Sequence, residues 1–269
     1  MKDTNNFKKI VLSYWRKNGR HTLLWRQTND PYAILVSEIM LQQTQVDRVT
    51  PYFEKWMKEF PTVQKLADAP LSDVLKVWSG LGYNRRAKLL RACAQAIVES
   101  HKGEVPMEYH ALVALPAIGP YTAGAIRAFA FNERGVFIET NIRAALIHHF
   151  FPTSKKVRDN RLAPILDEIV KSVKSPRDWY SALMDYGAHV KKKYPNPSRR
   201  SIHHTKQSTF TGSLRQARGA ILRTLVTGPA NEIKLRKQSS SDYYKKALTD
   251  LAREEMIEKK GGKWQLVEK

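Results

Sequence analysis

Leu115-Pro116-Ala117-Ile118-Gly119-Pro120-Tyr121-Thr122-Ala123-Gly124-Ala125, continued by the apolar run Ile126-Arg127-Ala128-Phe129-Ala130-Phe131, is the stretch on which the fold turns. A helical run over 108–115 stops at Pro116, because proline lacks an amide hydrogen and crowds the preceding turn. Gly119 supplies the positive φ that a tight turn needs. A second helix starts at Pro120 or Tyr121, where proline's fixed φ suits a first turn. The pattern predicts two helices joined by a glycine hairpin, with unpaired backbone N–H groups at the start of the second. Such an end attracts anions, and a nucleic-acid phosphate is a natural guest. Taken alone, the same residues fit an ordinary αα-hairpin. The rest of the chain has to decide.

The 269 residues suffice for one large or two modest domains with a buried core. Lys and Arg number 46 against 25 Asp and Glu, a formal charge of +21 that favours a polyanionic partner. Nucleic acid is preferred to membrane, since no basic amphipathic run stands apart. Met1 to Asn6 is polar and lacks a signal-peptide core, and no apolar run reaches the ~18 residues of a transmembrane span. The single cysteine, Cys93, excludes disulfides within the chain and any four-cysteine zinc or iron–sulfur site. Leu89 and Ile97 flank it at helical spacing, so a core thiol is expected. These features read as a soluble, cytoplasmic, nucleoid-associated monomer.

From Phe7 to about residue 190 the apolar spacing is helical almost throughout, as in Phe7, Ile10, Val11, Tyr14 and Trp15. Breaks fall at Asn18-Gly19, Asn29-Asp30-Pro31, Phe60-Pro61, Gly80-Leu81-Gly82, Gly103, Pro116, Phe151-Pro152 and Ser175-Pro176. An all-α domain over 1–190 is predicted. Residues 186–231 then contain nine Lys or Arg and no Asp or Glu, and 191–212 reads as an irregular basic linker. Beyond it, over 213–269, come a helix (Leu214–Val226), a Gly228-Pro229 turn, a short helix and a longer one over 242–255. A hairpin around Gly261-Gly262 ends the pattern. A winged helix-turn-helix and a plain helical cap both fit this tail.

Several residues could carry chemistry. Glu38 precedes Gln42 by one helical turn inside Ser37-Glu38-Ile39-Met40-Leu41-Gln42-Gln43-Thr44, among the most apolar surroundings in the chain. A helical Glu is ordinarily solvated. Buried here, it would hold its proton near neutral pH and serve as a general acid. Glu139 follows Gly135-Val136-Phe137-Ile138 and precedes Thr140-Asn141-Ile142 at a helix start, where a carboxylate also complements the helix dipole. Two carboxylates flanking a sugar are what glycosidic cleavage needs, one as acid and one beside the developing cation. In Gly80-Leu81-Gly82-Tyr83-Asn84-Arg85-Arg86, Tyr83 fits either a wedge into a base stack or a core position, while Arg85 and Arg86 can take phosphates. His148-His149 lacks ligand-type partners at metal spacing, and His203-His204 lies in the basic segment facing phosphate or solvent.

Read together, Trp25-Arg26, Pro31-Tyr32, 37–46, Pro51-Tyr52-Phe53, 78–83, 115–125, Glu139-Thr140-Asn141-Ile142-Arg143 and 183–188 resemble the helix-hairpin-helix DNA glycosylases. Within that superfamily they are most similar to the MutY-type adenine glycosylases. The resemblance implies an all-α, two-lobed helix-hairpin-helix glycosylase fold and a substrate of double-stranded DNA carrying a mismatched or damaged base. The base would be flipped into a pocket between two lobes at a cost of a few kcal/mol, offset by phosphate contacts. Glu38 would protonate the departing purine at N7. Arg26 and Asp185 would line the base pocket with Trp25 beside them, and Gln42 or Gln43 with Tyr83 would fill the vacated stack. Ile118, Gly119 and Tyr121 would hold a backbone phosphate. Tyr121 stands where the superfamily's β-lyase members carry a Schiff-base lysine, so a monofunctional enzyme is expected.

Three departures from the family pattern stand out. The second catalytic carboxylate is Asp in the family and Glu139 here. The four-cysteine iron–sulfur loop expected after Ala188 is replaced by His189-Val190-Lys191-Lys192-Lys193-Tyr194-Pro195-Asn196-Pro197-Ser198-Arg199-Arg200, so no cofactor is expected and Lys191, Lys192, Arg199 and Arg200 are assigned the phosphate contacts. The tail is too short for a Nudix-like domain that reads 8-oxoguanine. The resemblance implies adenine opposite guanine or 8-oxoguanine as the substrate, and the short tail leaves the opposite base open. Thymine or uracil opposite guanine, a deaminated or alkylated purine, and a non-catalytic DNA-binding role stay open.

Overall fold

The computed structural model describes residues 3–206, 209–239 and 242–268. Among them the helices run α1 (Thr4–Asn18), α2 (Pro31–Leu41), α3 (Val46–Glu59), α4 (Val63–Asp68), α5 (Leu71–Trp78), α6 (Arg85–His101), α7 (Tyr109–Ala114), α8 (Pro120–Phe131), α9 (Thr140–Phe150), α10 (Asp159–Ser172), α11 (Pro176–Lys193), α12 (Leu214–Val226), α13 (Glu232–Ser239) and α14 (Tyr244–Arg253). One antiparallel hairpin follows, β1 (Ile257–Lys260) with β2 (Lys263–Leu266), in which Ile257 faces Leu266 and Lys260 faces Lys263. The all-α expectation holds. Short polar caps start many helices: Asp3, Thr62, Ser175 and Ser213 each accept a hydrogen bond from an amide in the first turn that follows.

The chain divides into two compact units, one of residues 1–38, 107–114 and 118–206, the other of 39–106, 115–117 and 207–269. The first is built on α1 and α8–α11. Its core gathers Phe7, Val11, Ile142, Leu146, Leu162, Leu166, Trp179 and Leu183, each nearly sealed from solvent. Phe7 meets Trp179 edge-on with ring centroids 6.1 Å apart, and Phe137 stacks on Tyr180 at 3.9 Å. α9 and α11 pack most closely at Gly187, where an added Cβ would lie 2.0 Å from the Asn141 carbonyl oxygen. No side chain fits there.

The second unit packs α4 and α5 against α6. Trp56 and Trp78 are fully buried and meet edge-on at 5.4 Å, and Leu66, Leu90 and Ile97 of this unit are equally sealed from solvent. Cys93 lies in this core, its thiol pushed up to about 12 by burial. α12, α13 and α14 with the β1–β2 hairpin make the three-helix-and-wing pattern, closed by a backbone bridge from Ala230 to Trp264. The tail belongs to this unit, tied on by Lys88 Nζ, which donates to the Glu254 carbonyl at 2.6 Å and to Glu255 Oε2 at 2.9 Å.

Two expectations are corrected. The positive φ of the hairpin falls on Ala117 (+67°), while Gly119 is extended (φ −93°) and caps α8. An N-cap residue takes β-region angles, so the turn is completed two residues earlier. Nothing lies within 4 Å of a Cβ placed on Gly119. The expected linker of 191–212 begins inside α11, which runs to Lys193, and is ordered over 197–201. Pro197–Arg200 forms a 3-10 turn with Pro197 and Ser198 buried, and Val157 bridges to Ser201, which fastens the segment to α9 and α11.

Candidate active site

Glu38 lies on α2, a helix so apolar that most of its residues are buried and Glu38 with them, at 6 % exposure. Tyr121, in the first turn of α8, donates its hydroxyl to Glu38 Oε2 at 3.2 Å. Loss of hydration raises the Glu38 carboxyl from 4.5 to about 7. The Tyr121 bond and the Arg26 charge oppose that rise, and Glu139 adds to it. The phenol is pushed well above its usual value by burial and by the two carboxylates.

Glu139 caps α9. Its Oε1 accepts from the Asn141 amide at 2.7 Å and the Ile142 amide at 2.8 Å, and Oε2 from Asn141 Nδ2 at 3.2 Å. Lys191 Nζ donates to Asn141 Oδ1 at 3.0 Å, so a cation backs the carboxylate through one amide side chain. The Glu139 carboxyl still lies above its usual value, because desolvation outweighs those donors and the charges of Lys191 and Arg143. Glutamate in place of aspartate reaches the cap amides with an extra methylene, and the residue remains partly exposed.

Asp185 on α11 is buried and accepts from two arginines. Arg26 reaches Oδ2 at 2.6 Å and Oδ1 at 3.0 Å, and Arg20 reaches Oδ1 at 2.6 Å through Nε and Oδ2 at 2.9 Å through its amide. Burial alone would raise this carboxyl, yet the arginines hold it below its usual value. With both oxygens doubly occupied, Asp185 fixes the 20–26 loop, and Arg26 is the member that acts electrostatically on Glu38. Trp25 is buried beside Arg26 in the same short 3-10 turn. Sequence reasoning missed Arg20 and the Asn141–Lys191 link, which no local pattern marks. Gly187 carried a signal, as a lone glycine inside a helical run.

The remaining residues separate. Ile118 is buried and Gly119 partly exposed at the start of α8, Gln42 is partly buried, and Gln43 is exposed with a left-handed φ of +56°. Arg85 is exposed, whereas Arg86, expected at a phosphate, is buried. Its guanidinium donates to the carbonyls of Ile39, Met40, Gln42 and Gly82 and to Thr44 Oγ1, all within 3.1 Å, and so closes the C-terminal end of α2. Helical phase turns Arg86 inward and Arg85 outward, and burial lowers Arg86 to about 10. Arg200 is likewise internal, donating to the carbonyls of Phe151, Pro152 and Ser154 past the end of α9. Lys192 and Arg199 are exposed.

The donor set does not fit an iron–sulfur cluster. Cys93 is the one thiol, it is buried in α6, and the described residues contain no group of three His, Cys, Asp or Glu able to hold a metal. No helix among the described residues is long and apolar enough to cross a membrane.

A helix-hairpin-helix carrying a buried acid and a second carboxylate is the frame of base-excision repair proteins. The model of the HhH-GPD superfamily of base excision DNA repair proteins matches residues 36–174, more than half of the chain, and the chain belongs to that superfamily. It is 36% identical over 185 residues to the adenine DNA glycosylase of Buchnera aphidicola subsp. Baizongia pistaciae, covering 68% of this chain and 52% of that one. To the adenine DNA glycosylase of Mycobacterium tuberculosis it is 42% identical over 130 residues, 48% of this chain and 43% of that one. The chain thus spans about half the length of the curated relatives it matches. Among solved structures, a thermostable thymine-DNA glycosylase superposes with a TM-score of 0.61 at 28% identity, over 69% of this chain and 88% of that one. An endonuclease III–DNA complex superposes at 0.55 and 14%, over 70% and 85%, a likeness of fold alone.

Proposed function

We propose that this chain is a monofunctional DNA N-glycosylase that removes adenine mispaired with guanine or 8-oxoguanine. The reading rests on one observation above all: Glu38 is a buried carboxyl held near pH 7 by desolvation, with Tyr121 occupying one of its oxygens. Oε2 accepts from the phenol and Oε1 carries the proton. That proton passes to purine N7 as the C1′–N9 bond breaks and its electron pair moves into the ring. Glu139, fixed by two amides and backed by Lys191, stabilises the oxocarbenium-like sugar until water adds at C1′. Glu38, returned to its carboxylate, is the base available to take the water's proton.

A phenol cannot form an imine with the sugar, so Tyr121 supports base release without strand cleavage. Iron–sulfur chemistry has no part, since one cysteine cannot ligate a cluster. Trp25 and Arg26 serve the base pocket, with Gln42, Gln43 and Tyr83 at the vacated stack. Ile118, Gly119, Arg85, Lys192 and Arg199 meet phosphates. The substrate is duplex DNA, the protein acts as a monomer in the cytoplasm, and the +21 charge favours the phosphate contacts that flipping requires.

The test is single-turnover base release from a labelled duplex with adenine opposite 8-oxoguanine, read by hot-alkali cleavage, with Glu38→Gln alongside. Alkali-revealed cleavage by wild type alone is expected, with none before alkali. Release of thymine opposite guanine in its place, thymine being the base in the name of the 28%-identical structure, would change the base but keep the site. Silence on both duplexes, with DNA still bound, would overturn the glycosylase reading.

A further inference from the structure

The loop before α6 is held from beneath. Gly80, Gly82 and Tyr83 all have positive φ, at +99°, +87° and +49°. A Cβ on Gly80 would meet the Tyr52 hydroxyl at 2.3 Å, while Trp78 Nε1 and Arg86 both bond the Gly82 carbonyl. A non-glycine residue at such a φ is strained, so this backbone is maintained by its surroundings. Two guanidinium groups lie over the Tyr83 ring. The Arg86 Cζ lies 5.3 Å from the ring centroid, and the Arg215 Cζ lies 5.2 Å from it. Arg215 also donates to the Tyr83 hydroxyl.

Arg215 belongs to the first turn of α12, the helix that opens the tail. Contacts of α12 with α5, a two-pronged Arg218–Glu254 pair and the Lys88 bonds fix that helix in the same unit as the loop. We infer that Arg215 is a positioning residue: it holds the Tyr83 ring upright for insertion into the base stack, so the tail takes part in opening the duplex. The inference rests on the glycosylase reading only in giving Tyr83 a stack to enter. A planar cation over an aromatic face, with a charge-assisted bond to its hydroxyl, orders the ring before DNA arrives. The ordering entropy is then not lost on binding.

The experiment uses the full chain and duplexes carrying 2-aminopurine on either side of the base opposite adenine, so that unstacking is read without base release. Arg215→Ala is expected to weaken duplex binding roughly five- to thirtyfold and to suppress the 2-aminopurine rise, as loss of a cation–π contact of one to two kcal/mol implies. Arg215→Lys should recover part of the effect, and Tyr83→Phe, which keeps the ring under the Arg215 cation but loses the bond to the hydroxyl, should fall between wild type and Arg215→Ala in the 2-aminopurine rise. With Tyr83 already changed to Ala, Arg215→Ala should add almost nothing. Unchanged or tighter binding by Arg215→Ala would overturn the inference, as would full additivity with Tyr83→Ala, which would make Arg215 an independent phosphate contact. Thermal melting of each variant excludes unfolding as the cause. Should wild type unstack the duplex through Arg215 yet release no base, the glycosylase reading fails and the positioning role stands.

Discussion

Replacing Glu38 by Gln should make the protein more stable above neutral pH while abolishing its chemistry. In the folded chain the carboxyl lies at about 7 instead of 4.5, so folding opposes its ionisation. Each pH unit of such a displacement is worth about 1.4 kcal/mol, so the ionised, buried Glu38 costs about 3 kcal/mol at pH 8. The sign follows from linkage. A group raised on folding has its full stability below the unfolded value and loses it as pH climbs through the folded one. Wild type should therefore lose about 3 kcal/mol relative to Glu38→Gln between pH 4.5 and 7, and nothing further above that. For a chain of this size that is roughly 6–12 °C in Tm. The side-chain amide introduced by Glu38→Gln can still accept from Tyr121, so any change in that bond shifts both ends of the curve equally and leaves the pH difference intact. Urea unfolding of both proteins at pH 4.5, 6, 7 and 8 measures it. Single-turnover release by wild type should fall tenfold per pH unit above about 7, and Glu38→Gln should lose a factor of ~10²–10⁴. Parallel stability curves would refute the buried-acid reasoning, because the desolvation that raises the carboxyl must also cost folding energy.

Arg86→Ala should destabilise the fold by roughly 3 kcal/mol, since it strands several buried carbonyls at the end of α2. Arg85→Ala should leave Tm almost unchanged and lower the salt dependence of duplex binding by about one phosphate, as a filter-binding salt titration would report. In Gly187→Ala the new methyl would push Asn141 and the start of α9 away from α11, displacing Glu139 and lowering the base-release rate while the binding constant holds. A crystal structure of the variant with α9 in its original place would contradict this. Asp185→Asn should be destabilising at pH 7, and the difference from wild type should shrink as pH falls through the depressed value of Asp185, the direction opposite to Glu38. Denaturant midpoints at pH 7 and pH 3 give the comparison.

Most of the architecture was legible without coordinates because its signals are local. Helical phase, proline and glycine stops, and capping residues depend on neighbours a turn apart, and all report on all-α organisation. The hairpin ahead of α8 and the terminal β-hairpin were readable for the same reason. Adjacent residues of equal chemistry were harder. Arg85 and Arg86 differ only in helical phase, and whether the inward one meets phosphate or carbonyl depends on where α2 ends. The hairpin's positive φ was misplaced because glycine permits that conformation without requiring it.

Helical periodicity, the types and order of the reactive side chains, the strong positive charge and the single cysteine can all be read along the chain. Tertiary structure alone decided what those side chains do. Glu38 and Tyr121 are 83 positions apart, and only packing takes the carboxyl out of water and gives it a phenol for a partner. The Tyr83–Arg215 contact spans 132 positions and ties an expected appendage to the loop that carries Tyr83. A proton affinity or a ring's orientation is set by everything within a few ångströms, and sequence records nearness only along the chain.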